Sequence, residues 1–352
     1  MSELLRDLWY FAATSRELKR GQMFRREILG EPVLLGRDEE GKAFALRDIC
    51  PHRAVPLSAG RIVAENGVQT VECPYHGWRF GTQDGVCKHI PTLLADQPYE
   101  VDRIRVRRLP TSEANGIVLV FVSSDPRAAE ASSPPPEFHL GDFQEPKFVI
   151  HRIFAATMDN AVVGLMDPAH VPYVHNQWWW RPPSAGKKLK QKLFVPRERG
   201  WAIERHAPSG NSLAYRMLFG GNVTTEISFM LPGFRWEVVE NETARLFTLT
   251  CLTPENEKST RITQVTYWKN APLLDAMKPI LVPAGREFLD QDGRMVDLQN
   301  EGLRYSPSML WIDDIDVQAK WYLKLKREWT KSREEKRAFV NPIEPTTLRW
   351  MS

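Results

Sequence analysis

Cys50-Pro51-His52-Arg53 and, with twenty residues between His52 and the next cysteine, Cys73-Pro74-Tyr75-His76-Gly77-Trp78 decide how the front of this chain folds. The first stretch is Cys-x-His and the second Cys-x-x-His, so two short loops each bring one thiolate and one imidazole. A [2Fe–2S] cluster with two cysteines on one iron and two histidines on the other needs this ligand set. Replacing two thiolates by neutral imidazoles leaves less negative charge on such a cluster, which then accepts an electron more readily. The competing reading is a structural zinc site, because Cys₂His₂ also binds Zn²⁺ tetrahedrally. Zinc modules usually keep both cysteines on one knuckle and the histidines on the other, whereas here each loop mixes the two. Tyr75, Gly77 and Trp78 suit a tight turn that shields a cluster.

A second metal site is sought downstream. Asp167-Pro168-Ala169-His170-Val171-Pro172-Tyr173-Val174-His175 sets two histidines beside an acidic residue. Asp167-Pro168 predicts a helix N-cap with proline at the first helical position. An undistorted helix would separate His170 and His175 by about 140°, so their convergence requires a distortion, for which Pro172 is placed. In Arg286 to Gln299, residues 288, 292, 295 and 299 share one helical face, so Asp292 sits in a stripe with Phe288 and Met295. A carboxylate is costly there without a cation. Asp290 falls roughly opposite, with Asp297 and Arg294, and reads as solvated. Two histidines and one carboxylate form the facial triad of non-haem Fe(II) sites with open positions. The plainer alternative is a capping Asp167, two incidental histidines and an Asp292 paired with an arginine.

With both motifs in place, the chain resembles the α (terminal oxygenase) subunit of Rieske non-haem iron oxygenases over nearly its whole length. The resemblance is strongest for the α₃ monooxygenase and O-demethylase branch, the vanillate and dicamba demethylase kind. Trp9-Tyr10, Pro56-Leu57-Ser58, Gly85-x-Cys87-x-x-Ile90-Pro91 and Gln291-Asp292 with Gln299 fit alongside the metal motifs. The resemblance implies that Cys50, His52, Cys73 and His76 hold a Rieske [2Fe–2S] cluster, and that His170, His175 and Asp292 hold one mononuclear Fe(II) per chain. It implies that Asp167 bridges to a cluster histidine of the neighbouring subunit, and that the protein is a homotrimer. The pattern departs at Gly164, where many relatives carry asparagine; Asn160, one turn earlier, is the candidate to support the iron site instead. The His52–Cys73 gap is long for the family, implying an extended hairpin around Ala64-Glu65-Asn66-Gly67.

Layout agrees with an α+β protein. A proline-rich stretch from Asp125-Pro126 through Pro134-Pro135-Pro136 marks a linker, giving an N-terminal antiparallel-β Rieske domain over 1–125, a linker over 126–140 and a catalytic domain over 141–352. Strand-like runs at 32–35, 68–71, 104–106 and 116–122 precede it. Alternating runs at 224–231 and 246–252 follow it, with helices expected near 160–175, 284–303 and 314–338. The resemblance makes this second domain a helix-grip (START-like) fold. Trp178, Trp179 and Trp180 follow the second iron histidine and would line a flat substrate pocket, or equally a core or subunit-interface cluster.

Composition excludes several classes. The formal net charge of +3 over 352 residues gives nucleic-acid binding no support. No apolar run is long enough to span a bilayer and no signal peptide is visible, so a cytoplasmic protein is expected. Cys87 and Cys251 are expected as buried thiols. No Gly-x-Gly-x-x-Gly fingerprint or plant-type ferredoxin cysteine set occurs, so NAD(P)H is used only indirectly, through a partner flavin reductase, a ferredoxin or both. A basic surface including Arg53, Arg79, Lys88 and the tail helix would suit an acidic ferredoxin. The expected activity is O₂-dependent hydroxylation or oxidative demethylation of a small apolar aromatic or polycyclic molecule. The alternatives are arene cis-dihydroxylation and, from another class, a Rieske electron-transfer protein with a non-catalytic ligand-binding domain.

Overall fold

A computed structural model describes residues 4–94, 96–175, 188–208, 219 and 222–351. The chain divides into two compact units, Arg6–Glu137 and, after it, Phe138–Ser352.

The first unit is built from ten short antiparallel strands: β1 (Leu8–Thr14), β2 (Gln22–Ile28), β3 (Glu31–Arg37), β4 (Ala43–Arg47), β5 (Arg61–Glu65), β6 (Val68–Glu72), β7 (Arg79–Gly81), β8 (Cys87–His89), β9 (Thr111–Ala114) and β10 (Ile117–Val122). They form three sheets, ordered β1-β10-β9, β2-β3-β4 and β5-β6-β7-β8. β1 and β10 are buried at every position, which explains their unbroken apolar character. The expected hairpin is present: Glu65 pairs with Val68, and Asn66 (φ 51°) and Gly67 (φ 76°) make the left-handed turn that a two-residue connection demands. The run at 104–106 departs from expectation, contributing only a single bridge between Arg105 and Val86.

The second unit is an eight-stranded antiparallel sheet with helices on one face. Its strands are β11 (Phe148–Phe154), β12 (Leu189–Arg197), β13 (Gly200–His206), β14 (Thr224–Met230), β15 (Phe234–Glu240), β16 (Arg245–Asn256), β17 (Ser259–Lys269) and β18 (Thr346–Met351). Their order is β11-β17-β16-β15-β14-β13-β12-β18. Among the described residues four helices accompany it: α1 (Met158–Met166), α2 (Val171–Val174), α3 (Pro272–Leu303) and α4 (Val317–Glu334). The α+β architecture expected from sequence is the one observed.

One sheet face is covered by α3 and α4. Trp201 and Phe194 pack edge-on against Trp321 of α4, and Tyr322 meets Phe229. At the other end Leu274 and Leu281 of α3 join Trp268 and Val239 in one apolar cluster. The opposite face is covered by the start of the unit, where Phe138 meets Phe234 and Trp236 and Phe143 meets Tyr267. The apolar stripe of the tail helix, Trp321, Leu325 and Trp329, is buried.

Two expectations about helices are corrected. The expected 160–175 helix is interrupted: α1 ends at Met166, with Asp167 as its C-cap rather than an N-cap, and α2 is one separate turn with His170 before it. The helix carrying Asp292 begins at Pro272, well before 284, and accommodates Pro279 and Pro283 at exposed positions.

Candidate metal centres

The two cysteine-histidine loops are structural copies of one another. Cys50 N donates to Val55 O (2.9 Å) and Ala54 N to Cys50 O (2.9 Å); Cys73 N donates to Trp78 O (2.8 Å) and Gly77 N to Cys73 O (3.0 Å). Each loop turns through a left-handed residue at the same place, Ala54 (φ 58°) and Gly77 (φ 69°). Glycine also lets the second loop approach Pro91, whose Cγ would lie 3.0 Å from an added Cβ. This shared turn explains why both motifs begin with a cysteine whose backbone closes the loop.

Both cysteines are buried at 2% exposure, while His52 and His76 are half-buried nearer the surface. The imidazoles stand 4.7 Å apart. Trp78 stacks flat on His52 at 4.5 Å and 7°, and Tyr75 lies over His76 at 3.9 Å. Burial pushes the Cys50 thiol up to about 11, helped by its neighbour Cys73. His52 is held below its ordinary range by desolvation and then by His76 and Arg53. Its Nδ1 is buried without a hydrogen-bond partner. Two buried cysteines, one of them held protonated by burial, and an orphaned imidazole nitrogen, facing one another, fit an electron-deficient group between the loops. Behind them, fully buried Asp48 accepts Ser58 N (2.7 Å) and Ser58 Oγ (2.6 Å), tying Pro56-Leu57-Ser58 to the strand end before Cys50.

The second constellation converges as well. Ligand atoms of His170, His175 and Asp292 all lie within 4.8 Å of one another. His175 Nε2 is 3.1 Å and His170 Nε2 3.6 Å from Asp292 Oδ1. Convergence comes from the chain break: His170 precedes the one-turn α2 and His175 caps its end at φ −103°, ψ 77°. Pro172 therefore helps start a short helix instead of bending a long one.

Each histidine donates its Nδ1 hydrogen elsewhere: His170 to Asp167 O (2.7 Å), His175 to Gln291 Oε1 (2.9 Å). Both partners are oxygens that only accept, so both Nε2 atoms carry lone pairs. Those lone pairs and a carboxylate oxygen meet with no donor between them, and the fully buried His175 Nε2 makes no hydrogen bond. Three electron-pair donors facing one point fit a divalent cation. Phe288 stacks on His175 at 3.5 Å and 13°, closing one side to water.

Around this centre the helical wheel is corrected by one position. The buried stripe of α3 is Leu289, Gly293 and Val296, while Met295 is 44% exposed; Asp292 sits at the stripe's edge. Asp290 is not free in solvent. Arg152 of β11 donates to its carbonyl (3.0 Å) and its Oδ1 (2.6 Å) and approaches Asp297 at 3.6 Å. The arginine thus pairs with Asp290 and leaves Asp292 to the histidines. Gly293 makes room for it, since an added Cβ would lie 2.2 Å from Arg152 Cζ.

Asp167 lies at the centre's margin. Its Oδ1 accepts Ala169 N (2.7 Å) and its Oδ2 stays 4.0 Å from His170 Nδ1. Asn160 has its backbone N on the capping Thr157 Oγ1 (3.2 Å), and among the described residues its side chain forms no hydrogen bond to the triad. Its neighbour Asp159 is the anchored residue, accepting from Tyr322 Oη (2.7 Å) and Lys326 Nζ (2.8 and 2.9 Å). Trp178, Trp179 and Trp180 lie outside the described residues. Near the cluster loops Arg79 is engaged by Glu72 and Glu65, while Arg53 and Lys88 are both exposed and Lys88 is paired with Asp84. Cys87 and Cys251 are buried free thiols, as expected.

Sequence reasoning missed Gln291, Arg152 and Gly293 as parts of this centre. Gln291 adjoined Asp292 in the motif, but its contact with His175 spans 116 residues. Arg152 carried no local signal.

Comparison with known proteins places these two centres in separate families of sequence. Residues 8–105 match the Rieske [2Fe-2S] domain, and residues 154–327 the vanillate O-demethylase oxygenase C-terminal domain. Chlorophyllide a oxygenase of Chlamydomonas reinhardtii is 33% identical over 51% of this chain and 26% of its own length. The toluene-4-sulfonate monooxygenase iron-sulfur subunit TsaM1 of Comamonas testosteroni is 35% identical over 35% of this chain and 33% of its own. Both matches span a third or less of the relative's own length. Dicamba monooxygenase bound to dicamba has the same fold, with a TM-score of 0.71 at 22% identity over 95% of this chain and 99% of that one.

Proposed function

We infer, from the premise that this chain belongs to the Rieske oxygenase α subunits of the O-demethylase type, that it is the terminal oxygenase of a multicomponent monooxygenase. In this reading it hydroxylates a C–H bond of a small organic molecule with an apolar body, and hydroxylation of an O-methyl or N-methyl carbon releases formaldehyde. The observation that carries the reading is the convergence of His170, His175 and Asp292, with both Nδ1 atoms committed and both Nε2 lone pairs aimed at one carboxylate oxygen. A ferrous ion held there supplies dioxygen activation, and a [2Fe–2S] cluster held by Cys50, His52, Cys73 and His76 supplies single electrons.

The chain's own side chains do the rest. Asp167 O and Gln291 Oε1 fix each imidazole's tautomer and roll, so that no reorientation is needed when the metal enters. Phe288 covers the fully buried His175, while His170 and Asp292 keep 20% exposure on the side where substrate and O₂ would enter. Trp78 shields His52 from water. Asp167, 36% exposed, is turned outward, which suits a bridge to the cluster loop of a neighbouring protomer in a homotrimer. NAD(P)H enters through a separate reductase or ferredoxin. Buried Cys87 and Cys251, which form no disulfide, suit a reducing compartment such as the cytoplasm, and among the described residues no helix is long and apolar enough to cross a membrane.

The test is His170→Ala. Turnover should be abolished while the cluster's optical and EPR signals persist. Persistent turnover would mean the mononuclear centre lies elsewhere. Product analysis under ¹⁸O₂ separates monooxygenation, with one labelled oxygen, from dihydroxylation, with two.

A further inference from the structure

Helix α4 buries two rows of side chains. Trp321, Leu325 and Trp329 form an apolar one. Gln318, Tyr322 and Lys326, spaced four residues apart and so on one side of the helix, form a polar one at 5%, 1% and 9% exposure. Leucine would cost less than lysine under such cover, because a buried ammonium gives up its hydration. Each member of the polar row is engaged by a neighbouring element instead.

Gln318 Oε1 accepts from Trp201 Nε1 (3.3 Å), which ties α4 to β13. Tyr322 Oη (2.7 Å) and Lys326 Nζ (2.8 and 2.9 Å) donate to the carboxylate of Asp159, in the first turn of α1. The ammonium reaches both carboxylate oxygens and the phenol one of them, so the plane of the carboxylate is set as well as its distance. Among the described residues Asp159 is the α1 side chain that bonds to another element; α1 otherwise buries only apolar groups, Met158, Ala161, Val162 and Met166. Apolar burial is non-directional and tolerates rotation and sliding. At Gly164 an added Cβ would meet nothing within 4 Å, so the far end of α1 is not wedged on that side. A buried ion pair adds little net stability over a well-packed apolar group; its direction is what it contributes here.

The pose of α1 matters because of what stands at its end. His170 Nδ1 donates to the carbonyl of Asp167, the C-cap of α1, at 2.7 Å, and that bond leaves the lone pair on Nε2. A carbonyl displaced by about 1 Å no longer accepts. Asp159 and Asp167 lie about 12 Å apart along the helix axis, a distance over which a helix turns as one body.

We propose that Asp159, Tyr322 and Lys326 are positioning residues of the mononuclear centre. Helix α4, referenced to the sheet by Gln318, sets the rotation of α1 through one carboxylate and so aims the Asp167 carbonyl that fixes the His170 ring. The inference rests on the reading of His170, His175 and Asp292 as a metal site.

The test is Co(II) titration of protein that keeps its cluster but whose mononuclear centre has been emptied. Affinity and the Co(II) optical spectrum are read beside the denaturant midpoint of each variant. Tyr322→Phe removes one hydroxyl and should weaken Co(II) about threefold, and Lys326→Met, which leaves Asp159 without its cation, about tenfold or more. The triple variant Asp159→Leu/Tyr322→Phe/Lys326→Met strands no polar group and should unfold at a midpoint near that of the wild type. It should still bind Co(II) about tenfold or more weaker, with a shifted spectrum. Recovery of affinity and spectrum together with the midpoint would reduce the three residues to packing and overturn the assignment. If the triple variant does not fold, Tyr322→Phe decides alone, and wild-type affinity and spectrum in it overturn the assignment. The wild type keeps the two readings apart. Without a Co(II) site that His170→Ala abolishes, the metal-centre reading fails and takes this inference with it; with that site present and the variants unmoved, this inference fails alone.

Discussion

At the scale of single residues, the two centres are organised by what each imidazole does with its second nitrogen. His175 gives its Nδ1 hydrogen to Gln291, at 2.9 Å, and that bond sets the lone pair on Nε2. Replacing Gln291 by leucine removes the acceptor, so the ring can carry its proton on either nitrogen and rotate against Phe288. The expected result is a loss of about 10–100-fold in Fe(II) or Co(II) affinity, measured by titration of the metal-depleted centre, with the cluster spectrum unchanged. Unaltered affinity would assign Gln291 to packing alone. Cysteine and histidine spacing made the ligands legible because ligands of one loop are neighbours in sequence. Gln291 stayed hidden because its role is a distance between segments.

At the scale of elements, the decisive device is the lock between β11 and α3. Arg152 reaches across the sheet edge, fills the notch over Gly293 and bonds to Asp290, which fixes the roll of α3 and so turns Asp292 toward the histidines. A methyl at position 293 collides with the guanidinium. Gly293→Ala should lower stability by about 1–3 kcal/mol, read from the denaturant midpoint, and weaken metal binding at the triad. Truncating the arginine as well, in Arg152→Ala/Gly293→Ala, should relieve the collision and cost less than the two single changes summed. Strict additivity would show that the two residues do not interact. This lock explains why the helical wheel was off by one position. Periodicity found the helix and its acidic ligand, but the wheel's phase is set by an arginine from another strand. Strand runs such as 117–122 and the Asn66-Gly67 turn were legible because burial and backbone conformation leave a local imprint. The break at Asp167 was not, because Asp-Pro reads equally well as the end of one helix and the start of the next.

At the scale of the whole molecule, the question is whether electrons cross between protomers. Asp167 keeps one carboxylate oxygen on Ala169 N and holds the other 4.0 Å from His170 Nδ1, with 36% of the side chain exposed. That arrangement leaves it able to accept a hydrogen bond from outside its own unit, and in a closed ring each protomer meets its neighbour through the same head-to-tail contact. Complementation decides the matter. His52→Cys keeps four ligands on the cluster but adds negative charge, lowering its potential until it no longer takes up electrons from the donor. His170→Ala keeps the cluster and loses the mononuclear centre. Each variant alone should be inactive. Co-expressed in equal amounts and assembled at random, half of the protomers have a working cluster and half a working triad, so about one junction in four joins a working cluster to a working triad next door. Activity near a quarter of wild type is therefore the expected outcome. A relay confined to one chain predicts none, since no single protomer in the mixture carries both centres intact.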